Sequence, residues 1–307
     1  MPRAIILYEI DPSFGPNIIA EYYLKQEDKI SPSILKEFSE KHDKKQILDI
    51  TIHKENNRYF SKKINSESLE RKNLYLSFIL QEGEDLISLK SIFTNVEQRI
   101  INNFSNDKDQ MNNILKDAIN SILSLMEKLK EPKIIEETIN ERTKKMLDDG
   151  KLSEARELID LGEKIPEKLA AEVKSADDLL NQELYRKAKK GFLKAAELAE
   201  LIQELEIASF LENKGEQIGF FPDLIKEKVN LNKELDRIIT NLEINQLEIY
   251  DNFIEPIERL MEISLTLEEH ELVSNLIKLK NYTERASRIA KELHELDEKI
   301  RELLKKM

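Results

Sequence analysis

The sequence predicts an α+β protein: a five-stranded antiparallel sheet with three helices, in the order β-β-α-β-β-β-α-α, followed by an all-α part. Three observations predict it. Apolar residues alternate, or form short unbroken runs, as far as residue 80. The period then lengthens to that of a helix, and no strand pattern returns beyond residue 131. Two stretches of the second half repeat each other with an offset of 33 residues, from 152 to 185.

Residues 4–10 are apolar and rich in β-branched side chains, and residues 18–24 repeat the pattern after an Asp-Pro-Ser-Phe-Gly-Pro turn, so the two read as a hairpin. Ser31-Pro32 starts a helix, Ser as N-cap and Pro at the first helical position. Ile34, Leu35 and Phe38 mark one face, and the end falls near His42. Over 47–53, Leu48, Ile50 and Ile52 alternate with Asp49, Thr51 and His53, as in a half-buried strand. Asn56-Asn57 turns the chain into 58–64, where Phe60 and Ile64 are expected to point inward. Residues 74–80 are almost uninterruptedly apolar, which fits a central strand covered on both faces. Leu86, Leu89, Phe93, Val96 and Ile100 then form one helical stripe, and Met111, Leu115, Ala118, Ile122, Leu125 and Leu129 another.

Glu131-Pro132 is a boundary, because proline disfavours helix in the residue before it. The chain divides on this reading into a domain over 1–131, helical hairpins over 132–215 and long helices over 216–307 that continue the hairpin domain. In "DDGKLSEARELIDLGEKIP" and "NQELYRKAKKGFLKAAELA", Leu152, Ala155, Ile159 and Gly162 correspond to Tyr185, Ala188, Phe192 and Ala195. Large residues paired with Ala or Gly at helical spacing let neighbouring helices approach closely, as stacked hairpins require. Beyond "KGEQIGFFPDL", Leu231, Leu235, Ile238, Leu242 and Ile249 head a long helix that Pro256 must kink or break. The last helix, expected over 283–305, carries Ile289, Leu293, Leu296, Ile300 and Leu303 close to a heptad seam. Such a seam packs against its own domain or against a second chain.

Composition removes several function classes. A net charge of −12 with no basic block opposes binding to nucleic acid or anionic headgroups. The absence of cysteine removes disulfides, thiolate nucleophiles and thiolate metal ligands, and fits a cytosolic compartment. Met1-Pro2-Arg3 leads straight into the first strand without a signal-peptide pattern, and no apolar run approaches the roughly 20 residues that span a bilayer. Membrane association is expected only peripherally, through a partner. There is no glycine-rich loop to cradle phosphate, so no nucleotide cofactor is expected. His42, His53, His270 and His294 lack metal-ligand spacing, and Glu268-Glu269-His270-Glu271 reads as a solvated acidic helix end. No Ser/His/Asp order or nucleophile elbow appears, and an enzyme is not expected.

Two features point to partners. Phe220-Phe221-Pro222 follows Gly219 in an expected loop, where paired aromatics could anchor another protein. The alternative is that both rings fill the space between the repeats and the C-terminal helices. Arg58 heads a strand after a turn, so its guanidinium is expected at the surface. It could contact a partner or stabilise a phosphoryl-transfer transition state in trans, against the plainer reading of a solvated arginine.

The segment "YEIDPSFGPNIIAEYYL", with Asp11, Pro12, Gly15 and Pro16 in its turn, resembles the first hairpin of longin domains of the nitrogen-permease-regulator-like, folliculin and DENN group and of archaeal longin-like proteins. With the element order, the resemblance covers about residues 1–130. The turn itself is structural: the prolines restrict φ and Gly15 can take a positive φ. The repeat over about 135–215 resembles the tetratricopeptide pattern, although the large residue and glycine usual in each first helix are poorly matched. The resemblance implies a platform that holds a small GTPase or pairs with another longin or roadblock domain in membrane-traffic or nutrient-signalling assemblies. Longin SNAREs are a less apt comparison, since the sequence closes on Lys305-Lys306-Met307. The expectation is therefore a cytosolic, non-enzymatic adaptor without a cofactor, whose helical part binds a further protein. A GTPase regulator (activating protein or exchange factor) using Arg58, and an architectural homodimer built through the last helix, are the alternatives.

Overall fold

The computed structural model describes residues 2–11, 13–45, 49–54, 57–64, 69, 73–81, 86–242 and 247–306. Contacts divide the chain into two units, Met1–Gly219 and Phe220–Met307.

In the first unit, strands β1 (Ala4–Asp11) and β2 (Gly15–Tyr23) form the expected hairpin, paired from Ala4 with Tyr23 to Asp11 with Gly15. Between Leu7 and Tyr8 the register slips by one, leaving Ile19 as a bulge. The turn closes on backbone demands. The Asp11 carboxylate accepts from the amides of Ser13 at 2.7 Å and Phe14 at 3.0 Å, and Gly15 sits at φ +84°. Pro12 lies outside the described residues. A short 3-10 turn, Gln26–Asp28, precedes helix α1 (Pro32–Lys45). Strands β3 (Asp49–Lys54), β4 (Asn57–Lys63) and β5 (Leu74–Gln81) complete an antiparallel sheet of order β2-β1-β5-β4-β3. Leu48 and Asn56 lie outside the described residues.

Strand β5 is at the centre, and its apolar run follows from cover on both faces. On one face, Tyr8 stacks on Tyr75 and faces Phe38 of α1. On the other, Phe60 and Phe78 meet Phe93 edge-on, with ring centroids 5.9 and 6.1 Å apart. Phe93 belongs to α2 (Leu86–Asn102), which with α3 (Lys108–Lys130) buries the two stripes read from the sequence.

Glu131 ends α3, and Pro132 opens α4 (Pro132–Asp148) in the first turn, where a missing amide costs nothing. Helices α5 (Leu152–Gly162), α6 (Ile165–Asn181), α7 (Tyr185–Leu201) and α8 (Leu205–Gly219) follow, α5 packing on α4, α6 on α7 and α7 on α8. Helix α8 packs back on α2, and a continuous core runs from Ile5 in the sheet to Ile218. The break at residue 131 therefore lies inside one unit rather than between two.

Three of these helices end in one device. Gly150, Glu183 and Gln203 take positive φ. The following amides reach back to the last turn: Lys151 to Met146, Leu184 to Leu179 and Glu204 to Ala199, each at 2.9–3.0 Å. This is the left-handed helix cap. The first two caps are 33 residues apart, and they are what the repeat in the sequence registers.

The second unit comprises α9 (Phe221–Leu242), a 3-10 segment (Leu247–Phe253), α10 (Ile254–Thr266) and α11 (His270–Lys306). Leu235, Phe253, Ile257, Leu260 and Leu276 form its core. The Leu242 and Ile249 side chains lie outside the described residues. Arg259 grips Glu227 through two hydrogen bonds, 2.7 and 3.0 Å, and holds that carboxyl below its ordinary pKa. Two expectations are corrected. Pro256 kinks no long helix, because it sits in the first turn of α10. The last helix begins at His270 rather than 283, since Leu272, Val273 and Leu276 already give it a buried side. Among the described residues no helix is long and apolar enough to cross a membrane.

Candidate functional site

Helix α11 is two helices in one. Up to Ala290 it has a buried side, formed by Val273, Leu276, Thr283, Ser287 and Ala290. Asp251 fastens that side, accepting from the Ser287 hydroxyl and lying 2.9 Å from the Lys291 ammonium. Both contacts pull the Asp251 carboxyl below its ordinary pKa, the serine most. Past that point every residue from 291 to 306 is exposed.

A second stripe runs along the same helix at alternating steps of three and four: Leu279, Tyr282, Ala286, Ile289, Leu293, Leu296, Ile300 and Leu303. Apart from half-buried Ala286, its members are 39–71% exposed. A strict three-four stripe on a helix is the seam of a coiled coil, and its place is against another helix. Apolar residues on a solvated helix face usually occur singly, and here six aliphatic residues and Tyr282 stand exposed in one file.

Chemistry has less to work with. Among the described residues no three acidic or histidine side chains gather as a metal site. The acidic stretch before α11 is met by Lys228, whose ammonium donates to both Glu269 oxygens at 2.5 and 2.6 Å. The His270 and His53 side chains lie outside the described residues. His42 does stand beside a serine. Its Nε2 is 3.0 Å from Ser61 Oγ, which is also 2.8 Å from the Tyr8 hydroxyl. Tyr8 and Ser61 are fully buried, and burial pushes the Tyr8 phenol well above its usual range. No substrate reaches this hydroxyl, so the group is a satisfied polar knot between α1 and the sheet.

The residues singled out by sequence do not converge. Arg58 is half-buried on β4, an interior strand, flanked by His53 of β3 and Leu80 of β5. It stands one residue inside the strand, beside the expected turn, and is half-buried rather than exposed. Of the pair expected in a loop, Phe220 is the single turn residue between α8, which ends at Gly219, and α9, which starts at Phe221. Phe220 is 60% exposed and Phe221 7%, so only one ring is presented to solvent. Ala155, Gly162, Ala188, Phe192 and Ala195 are buried and Tyr185 packs at the edge of the core. Leu152 and Ile159 are exposed instead, since the buried face of the short α5 is Ala155, Leu158 and Gly162. The sequence reading passed over Phe14, which stands 92% exposed at the tip of the first hairpin between Asp11 and Pro16. The signal was an aromatic inside a turn, where no core position is on offer.

Comparison with protein-family models, curated proteins and solved structures finds no match for this chain.

Proposed function

We propose that the chain is a non-enzymatic interaction scaffold, and the observation that carries this reading is the exposed three-four apolar seam of α11. Its N-terminal sheet, opened by a Gly-Pro hairpin and resembling a longin domain, is the part we assign to a small GTPase or to a longin or roadblock domain. Support comes from the sheet's ends: among the described residues β2 and β3 each pair on one side only, and an edge strand is a template for another chain, although α3 already takes the Glu21 amide of β2 through Asn112. Phe14 adds an exposed aromatic beside the β2 edge. The regulator reading needs a guanidinium presented to a bound nucleotide, and half-buried Arg58 does not favour it.

The test uses the full chain and a Leu296→Glu/Ile300→Glu variant, each immobilised and offered small GTPases in both nucleotide states and longin or roadblock proteins of the same cell. Binding that the seam variant loses, or that a Phe14→Ala variant loses at the sheet, supports the scaffold. GTP turnover accelerated by the chain, or no binding by any of these, counts against it.

A further inference from the structure

We propose that the α11 seam is the site at which two copies of this chain pair, antiparallel, with Glu292 of each copy facing Lys299 of the other. The proposal rests on the interaction reading above and names the occupant of its seam.

In heptad terms the a positions are Leu279, Ala286, Leu293 and Ile300, and the d positions Tyr282, Ile289, Leu296 and Leu303. The flanking g positions are Arg285, Glu292, Lys299 and Lys306, and the e positions Thr283, Ala290, Asp297 and Leu304. These flanks choose partner and direction. In a parallel pair each g residue meets the e residue five positions further along the other helix. That sets Glu292 against Asp297 twice, while Arg285 has only the buried, uncharged Ala290 at its flank and Lys299 meets Leu304. The parallel pair thus gains two repulsions and no attraction.

An antiparallel pair opposes g to g and e to e. With the two-fold axis between His294 and Glu295, Leu293 packs on Leu296, Ile289 on Ile300 and Ala286 on Leu303, each twice. Glu292 then meets Lys299 twice, while the position opposite Asp297 is Ala290, buried within its own unit and without charge. The one like-charge approach, Arg285 to Lys306, falls at the outer ends. Sliding by one heptad in one direction sets Glu292 against Glu292, and in the other Lys299 against Lys299. One register alone satisfies both the apolar layers and the central charges, and it does so with an identical helix. The projecting part also gains a reason to be helical. Residues 291–306 have no buried position in the single chain, and an isolated helix of about 15 residues is marginal in water.

The chain has no cysteine, which makes cross-linking clean. Full-length Ile289→Cys and Ile300→Cys proteins are prepared separately, mixed and oxidised. In the proposed register the two positions share a layer. Two copies of position 289 then lie about 16 Å apart along the helix, beyond disulfide reach. The expected product is the disulfide between unlike variants. Disulfides between like variants would show a parallel pair and overturn the proposal, as would a wild-type full chain that sediments as a monomer at about 100 μM, where a pair of this length is expected to form.

A charge reversal reads the same geometry by sign. Glu292→Lys places lysine against Lys299 and is expected to weaken association roughly tenfold, with Glu292→Lys/Lys299→Glu restoring it. Tighter association of Glu292→Lys, from the Asp297 it would meet in a parallel pair, overturns the register. Both residues are exposed, so folding is not at risk, and far-ultraviolet circular dichroism checks it. A monomeric chain whose seam variant still loses a GTPase or longin partner would end self-pairing and leave the scaffold standing.

Discussion

The Lys128 ammonium donates to the Glu204 carboxylate at 2.8 Å across 76 residues of sequence. Arg142 donates to the same carboxylate and, at 3.1 Å, to the carbonyls of Ile202 and Gln203. Helices α3 and α4 are thereby tied to the turn between α7 and α8. Glu204 is 5% exposed and its two cations are only partly so. Removing the buried member strands two charges that water reaches in part, a smaller penalty than for a dry pair. Glu204→Gln is expected to lower stability by about 1–3 kcal/mol, read as a lower urea midpoint at unchanged slope. An unchanged midpoint would mean that water replaces the network at no cost.

The same tie decides where the chain can be cut. A fragment of residues 1–131 keeps the sheet but bares the sides of α2 and α3 that α8, α6 and Glu204 cover. It is expected to bind a hydrophobic dye and melt without a sharp transition, whereas residues 1–219 unfold cooperatively. Sharp melting of the shorter fragment would make the sheet an independent domain.

Most of the strand and helix pattern was legible, because period and burial coincide there. Ile50 and Ile52 alternate and are buried, and Leu86, Leu89, Phe93, Val96 and Ile100 fall on the buried side of α2. What escaped was long-range. No local pattern says that Glu204 returns to Lys128, so Glu131-Pro132 reads as the edge of a domain, while contacts group both of its sides in Met1–Gly219. Exposure escaped for a related reason. Leu152 and Phe192 are both large and apolar at helical spacing, and only the neighbours of each helix decide that one is exposed and the other buried. The α11 seam was visible as a heptad, but a heptad looks alike whether covered by its own domain or bare.

Glu183 holds φ at +59° in the turn between α6 and α7, where the corresponding position of the preceding hairpin is Gly150. A side chain there strains the left-handed conformation, which glycine adopts freely. Glu183→Gly is expected to stabilise the chain by up to about 1 kcal/mol, and Gly150→Ala to destabilise it by about 1 kcal/mol. Thermal melting of the two variants tests both signs. Nothing lies within 4 Å of a Cβ on Gly150, so a loss there reports backbone strain and not a clash.

Asp251 makes the second unit sensitive to acid. Its carboxyl, held below the ordinary value of 3.8 by Ser287 first and Lys291 second, is charged in the folded chain at pH values where an unfolded aspartate already takes up its proton. A depressed folded pKa gives stability that is fully present above the unfolded value and is lost as pH falls through the folded one. Replacing it by Asn removes the charge that both partners meet. Asp251→Asn is therefore expected to be less stable than the wild type at about pH 6, and the gap should close toward about pH 2 as the wild-type carboxyl is neutralised. Urea unfolding at a series of pH values, followed by helix circular dichroism, measures the gap. A gap that stays constant with pH would mean that Asp251 acts through its shape and hydrogen bonding alone, with its ionisation idle.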